Sequence, residues 1–313
     1  MNKKSNIAVM GSNGFVGRNL STRLSNDGYE NIHNFHRGNI NLLNADEVYS
    51  AISFYNIDVV FICSAVVGGI QTNINNPYKF LFENLVIQNN IIDACIKNKV
   101  KQVVFLGSSC IYPKDYKQPL KEEYLMKDDL EPSNYGYALA KICGLKMCEF
   151  ANKEFDTQFI SLMPCNLYGN DQDYDPIKSH VLGALVKRIV DAKHNGDKEV
   201  VVWGTGKPKR EFLHITDCVD AMIWSIHNAE KCKEYDFINI GTGTDMSIRR
   251  LAEKIKKYSG YIGEIKFDVN KPDGMKRKCL DITRINNIGW KHNIELDDGL
   301  LRTVKDYEKN KLS

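Results

Sequence analysis

The stretch Asn6-Ile7-Ala8-Val9-Met10-Gly11-Ser12-Asn13-Gly14-Phe15-Val16-Gly17 decides how the rest of the chain is read. An apolar run over 6–10 has the length of a buried strand, and a helix over 16–26 follows the glycines. Missing Cβ atoms at Gly11, Gly14 and Gly17 allow a tight turn and a close backbone approach. A helix N-terminus then offers free N–H groups and partial positive charge to a pyrophosphate. A purely structural turn has a similar composition, but the strand–turn–helix setting favours dinucleotide binding by Gly11, Ser12, Asn13, Gly14, Phe15, Val16 and Gly17.

Working outward, further apolar runs over 32–36, 58–63, 102–107 and 159–164 read as strands, with helices over 45–55, 78–99 and 135–155 between them. Strands apolar on both faces and separated by helices form a parallel sheet covered on both sides. Right-handed crossovers make it an α/β, doubly wound (Rossmann) sheet. After about residue 165 the rhythm loosens: polar loops over 168–179, 204–209 and 270–278 alternate with helices over 180–192, 216–229 and 247–259. The expected organisation is a dinucleotide-binding domain over 1–165, with some later segments returning to it. A smaller α/β substrate-binding lobe occupies most of 166–313, with a cleft between.

The 313 residues, 43% hydrophobic and 26% charged, suit an ordinary globular protein. A net charge of +3, from 42 Lys+Arg against 39 Asp+Glu, does not point to nucleic acid. No apolar run approaches the ~18 residues of a membrane span, and the apolar stretch before Gly11 is too short for a signal-peptide core. Nine cysteines without a Cys-x-x-Cys pair read as free thiols in a reducing cytoplasm, with no metal site.

Dinucleotides lacking the 2′-phosphate usually meet an acid after the second strand. The stretch Asn34-Phe35-His36-Arg37-Gly38-Asn39 has none, and Arg37 suits a 2′-phosphate, so NADPH/NADP+ is the expected cofactor. Tyr137 and Lys141, four apart, share one helix face. The ammonium is expected to lower the phenol's pKa for acid–base work. Ser108 leaves the C-terminal end of the fourth strand, the edge where ligands bind in open parallel sheets, and can hydrogen-bond a substrate carbonyl.

Glycine loop, Ser108 and Tyr137-x-x-x-Lys141 together resemble the extended short-chain dehydrogenase/reductases that act on nucleotide sugars. More narrowly, the chain is similar to the GDP-L-fucose synthase family, the GDP-4-keto-6-deoxymannose 3,5-epimerase/4-reductases. The matching stretches are VGGI (67–70), LGSSCIYPK (106–114), YALAK (137–141), NLYG (166–169), SHV (179–181), VVWGTGKPKREFLH (201–214), INIGTG (238–243) and KPDG (271–274). The resemblance implies Cys110 as the base and His180 as the acid that epimerise carbons 3 and 5 beside a 4-keto group. Tyr137 then protonates the oxygen as carbon 4 is reduced, and Lys141 serves both Tyr137 and the nicotinamide ribose. It implies a cofactor side made by Leu106, Gly107, Pro164, Asn166, Leu167 and His180. Arg188, Trp203, Arg210 and Asp273 match positions around a GDP-sugar. Asp273 serves either a ribose hydroxyl or its own turn, and His214 reads as structural.

The chain departs from the family pattern at Val66-Val67-Gly68-Gly69, where Lys-Val-Gly-Gly is common, and at Asn134-Tyr135-Gly136 in place of Asn-Glu-Pro. Ile177-Lys178 also replaces small polar residues. These changes leave the reductase set intact and open one alternative, a C4 reductase without epimerisation on a related GDP-4-keto sugar, such as a GDP-4-keto-heptose. A second alternative, a redox-neutral nucleotide-sugar 4-epimerase or dehydratase, shares the fold and the glycine loop. The resemblance further implies a homodimer built on the helices over 78–99 and 135–155.

Overall fold

The computed structural model describes residues 1–172, 174–175, 180–271 and 273–312. Ile177, Lys178, Ser179 and Pro272 of the motifs above lie outside the described residues. The glycine turn joins β1 (Asn6–Met10) to α1 (Phe15–Asn26). The chain continues through β2 (Asn31–Phe35), α2 (Ala45–Phe54), β3 (Val59–Ile62), α3 (Ile70–Asn75), α4 (Pro77–Lys97), β4 (Gln102–Leu106), α5 (Tyr135–Glu154) and β5 (Gln158–Pro164). Next come β6 (Asn166–Tyr168), α6 (Val181–Asn195), β7 (Glu199–Trp203), β8 (Lys209–His214), α7 (Ile215–His227), α8 (Ala229–Cys232) and β9 (Ile238–Ile240). The last elements are β10 (Asp245–Ser247), α9 (Ile248–Ser259), β11 (Glu264–Asp268), β12 (Arg277–Lys278), α10 (Thr283–Ile288) and α11 (Leu296–Leu312).

Six strands pair in parallel in the order β2-β1-β3-β4-β5-β9. Every residue of β3 is buried, as expected of a strand covered on both faces. Helices α2, α4 and α5 pack side by side, and α1 packs on α7. The winding reverses between β1 and β3, which places a crevice beyond their C-terminal ends. A second hydrophobic cluster, with Val186, Ile189, Leu251, Ile255 and Leu300 at its centre, joins α6, α9 and α11. Beside it β7 pairs with β11, while β6, β10 and β12 all pair with β8. Among the described residues no helix is long and apolar enough to cross a membrane.

The structure moves some expected boundaries. His180 is not the first residue of its helix but the N-cap of α6, in an extended conformation. Helices α3, α10 and α11 and the short strands after β5 were not anticipated. Those strands are mostly two to six residues long and partly polar, too short to show a period.

His214 links β8 to α7. Only 3% exposed, it caps α7 by accepting a hydrogen bond from the Thr216 N–H at Nδ1, 3.3 Å away. Burial lowers its pKa to about 4, outweighing the opposing charge of Asp217. A lowered histidine pKa contributes stability that is present above the unfolded value of ~6.5 and is lost as pH falls towards 4. The wild type should therefore lose on the order of 2 kcal/mol more than His214→Asn between pH 7.5 and 4.5 in urea unfolding. Equal losses would remove His214 as the cause.

Candidate active site

The turn after β1 depends on absent side chains. Gly11 has φ +91°, and a Cβ there would lie 2.7 Å from Ser64 Cα, two residues beyond the end of β3. At Gly17 a Cβ would lie 2.2 Å from the Gly11 carbonyl oxygen. The N–H groups of Gly11 and Ser12 donate to Phe35 O at 2.8 and 3.0 Å, tying the turn to β2. Helix α1 starts with no capping side chain and no acid in its first turn, so its leading N–H groups remain available. This cradle fits a pyrophosphate. Arg18 steadies its rim by donating to the carbonyls of Asn13 and Asp171. The loop after β2 braces itself through His36 N–H to Asn39 Oδ1 (2.8 Å) and Gly38 N–H to His36 Nδ1 (3.0 Å), leaving Arg37 exposed.

At the end of β4, Ser108 Oγ accepts from the Cys110 N–H at 3.2 Å and starts a short 3-10 turn. Its hydroxyl also acts on the Tyr137 phenol, favouring the ionised form. On α5, Lys141 is 97% buried by its neighbours, with a residual exposure of 3%, and donates to Leu106 O at 2.9 Å. Its Nζ lies 5.9 Å from the Tyr137 ring centroid. Burial lowers Lys141's pKa to about 8. For Tyr137 the sequence expectation is reversed. Crowding between α5 and β4 raises its pKa, the Cys110 side raises it further, and only the Ser108 hydroxyl opposes them. The phenol is thus held protonated, as a proton donor requires.

Cys110 Sγ receives two hydrogen bonds, from Asn134 Nδ2 at 3.2 Å and Lys278 Nζ at 3.4 Å. Its neighbour Arg210 donates to Met275 O at 2.6 Å, and burial lowers the guanidinium's pKa against the opposing influence of Cys110. Solvent reaches His180, yet the atoms gathered around it desolvate the ring. Its pKa is lowered first by that crowding and then by Lys278.

The other expected positions make contacts of their own. Arg188 is exposed and donates to Val201 O at 2.7 Å. Trp203 is 65% exposed, with Lys271 Nζ 5.5 Å from its ring centroid. Asp273 accepts from Thr205 N–H and Oγ1 at 2.8 and 2.7 Å, so it shapes the loop after Trp203. On the sheet side, Asn166 Nδ2 donates to Glu211 O at 2.8 Å, beside Pro164 at the end of β5 and Leu167 in β6. A Cβ on Gly107 would lie 2.2 Å from Met163 Sδ. Asn134 and Lys278 were not singled out as site residues. Asn134 entered only as part of an altered family segment and Lys278 in no motif, and only the folded chain brings them to Cys110.

This is the cleft of a sheet-based enzyme with a dinucleotide cradle and a Ser–Tyr–Lys set. The chain belongs to the NAD dependent epimerase/dehydratase family, whose model matches residues 7–241. It is 41% identical to GDP-L-fucose synthase of Escherichia coli (strain K12), over 98% of each chain. Among solved structures it resembles a GDP-6-OMe-4-keto-L-xylo-heptose reductase from C. jejuni (TM-score 0.93, 34% identity, 99% of each chain). It also resembles a GDP-mannoheptose C4 reductase from Campylobacter jejuni with NADP bound (TM-score 0.91, 35% identity, 98% of this chain and 99% of that one).

If Arg37 meets a 2′-phosphate, Arg37→Ala should raise the Kd for NADPH about 10- to 100-fold and leave that for NADH nearly unchanged, measured by fluorescence titration. Equal effects on both would exclude it from 2′-phosphate recognition.

Proposed function

We propose that the chain is an NADPH-dependent 4-reductase with 3,5-epimerase activity on a GDP-4-keto sugar, of the type that turns GDP-4-keto-6-deoxymannose into GDP-L-fucose. The observation that carries this reading is Cys110 lying just beyond Ser108, with its sulfur held by two donors in the cleft that Tyr137 faces. A redox-neutral 4-epimerase or dehydratase has no evident use for that arrangement. The relatives' reductase and fucose-synthase names support the same substrate class.

In this reading Ser108 orients the 4-keto oxygen. Cys110 removes the proton on carbon 3 or 5, which the ketone acidifies, and His180 supplies one from the opposite face. NADPH, when bound in the glycine cradle with Arg37 at its 2′-phosphate, supplies the hydride for carbon 4. Tyr137, protonated by its burial, gives its proton to the oxygen, and Lys141 supports Tyr137 and the ribose. Arg210 serves the diphosphate as a planar cation, while Arg188, Trp203 and Asp273 form the outer nucleotide side.

A second reading, C4 reduction of a GDP-4-keto-heptose without epimerisation, is favoured by the likeness to the two heptose reductases and by the altered Val66–Gly69 and Asn134–Gly136 segments. Product NMR in D2O with NADPH, from the 6-deoxy and heptose substrates, separates the readings. Deuterium at carbons 3 and 5 supports epimerisation, and its absence leaves reduction alone.

Tyr137→Phe should lower reduction at least about 100-fold, with the Kd for NADPH little changed. Substantial residual reduction would remove Tyr137 as the proton donor. Cys110→Ser should slow deuterium incorporation while hydride transfer to an already epimerised ketone continues.

The working unit in this proposal is a cytoplasmic homodimer. Nine free thiols suit a reducing compartment. Tyr78 and Phe82 of α4, stacked at 5.5 Å, and Tyr135 and Phe150 of α5 are all exposed, as an interface through these helices would require. Light scattering should give twice 35.7 kDa.

A further inference from the structure

We infer that Lys278 is a positioning residue for epimerisation, holding Cys110 Sγ and standing as counter-charge to the sulfur anion that takes the substrate proton. The inference rests on the epimerase half of the proposed function. Lys278 is only 8% exposed. Its Nζ lies 3.4 Å from Cys110 Sγ, and among the described residues no carboxylate forms an ion pair with it. A buried cation without an anionic partner is costly, so its placement against a thiol calls for a use.

The backbone leaves Lys278 little freedom. It sits opposite Arg210 in the β8–β12 ladder. On one side Lys209 N–H donates to Lys276 O at 2.9 Å. On the other, Cys279 N–H donates to Gln118 Oε1 at 3.0 Å and Leu280 N–H to Glu211 Oε2 at 2.7 Å. With Asn134 Nδ2 also on the sulfur, two donors fix its position.

The proton transfer balances as follows. The sulfur anion takes the hydrogen of carbon 3 or 5 as a proton, the C–H pair becomes the enolate double bond, and the carbonyl pair moves onto O4. Negative charge thus leaves sulfur for O4, and Lys278 remains 3.4 Å from the thiol that has taken the proton. A proton from His180 then closes the opposite face, and exchange with solvent restores both side chains. Lys278 also disfavours the charged form of His180, which makes a protonated ring readier to give its proton up.

The experiment compares deuterium incorporation at carbons 3 and 5 with reduction of an already epimerised 4-ketone. In Lys278→Met, kcat for incorporation should fall about 10- to 100-fold, the scale of one charged hydrogen bond. Its ratio to reduction should fall with it, and Lys278→Arg should recover most of the loss. A change confined to KM for the GDP-sugar would make Lys278 a diphosphate ligand instead and overturn the inference. An equal fall in both activities, or an Arg variant as slow as Met, would also overturn it. NADPH affinity and circular dichroism report folding of both variants. Wild-type enzyme that reduces without any incorporation would instead refute the epimerase reading itself.

Discussion

The hydrogen bond from buried Lys141 Nζ to Leu106 O sets the geometry on which the site depends. It fixes α5 to the last residue of β4, and so fixes Tyr137 against Ser108 and Cys110. The helix can come this close because side chains are missing at the contact. A Cβ on Gly144 would lie 2.6 Å from Phe105 Cζ and 2.7 Å from Gln88 Oε1. From the other side, Gln88 Nε2 donates to Ala140 O at 2.6 Å, joining α4 to α5. The same burial that fixes the pair lowers the lysine's pKa and raises the tyrosine's, so the resting site is a protonated phenol near a weakened ammonium.

A second buried charge attaches the smaller lobe. Glu211 in β8 has no exposed surface and accepts backbone N–H groups from Thr242, Gly243 and Leu280 at 2.6, 2.7 and 2.7 Å. Burial raises its pKa to about 7 against these donors. A carboxylate is suited to this junction because it can gather three backbone donors from separate segments. The loop after β9 and the chain after β12 are held in this way, which brings Lys278 to Cys110 and Arg210 beside them. Residues of the two lobes thus meet at one sulfur atom.

The nucleotide half of the fold was legible because its signals are local. β1 and β4 fell within a residue of their expected bounds, since unbroken apolar runs and glycine turns are short-range features. Ser108, Tyr137, Lys141 and Cys110 were legible through spacing and resemblance, and the fold brings them together. The smaller lobe was less legible. Its strands are short and partly polar, and Lys278 acquires meaning only through a contact across the chain, as does the side chain of Asn134 at the start of α5. The direction of Tyr137's pKa shift was misread for a related reason. Spacing on a helix gives the nearness of a charge, but desolvation is set by everything packed around the ring.

The most direct test is the stoichiometry of turnover with purified enzyme, NADPH and GDP-4-keto-6-deoxymannose or its heptose analogue. Absorbance at the reduced nicotinamide band and product NMR are followed together. The account predicts one NADPH oxidised for each sugar reduced at carbon 4. Product formed with no net consumption of NADPH would contradict it.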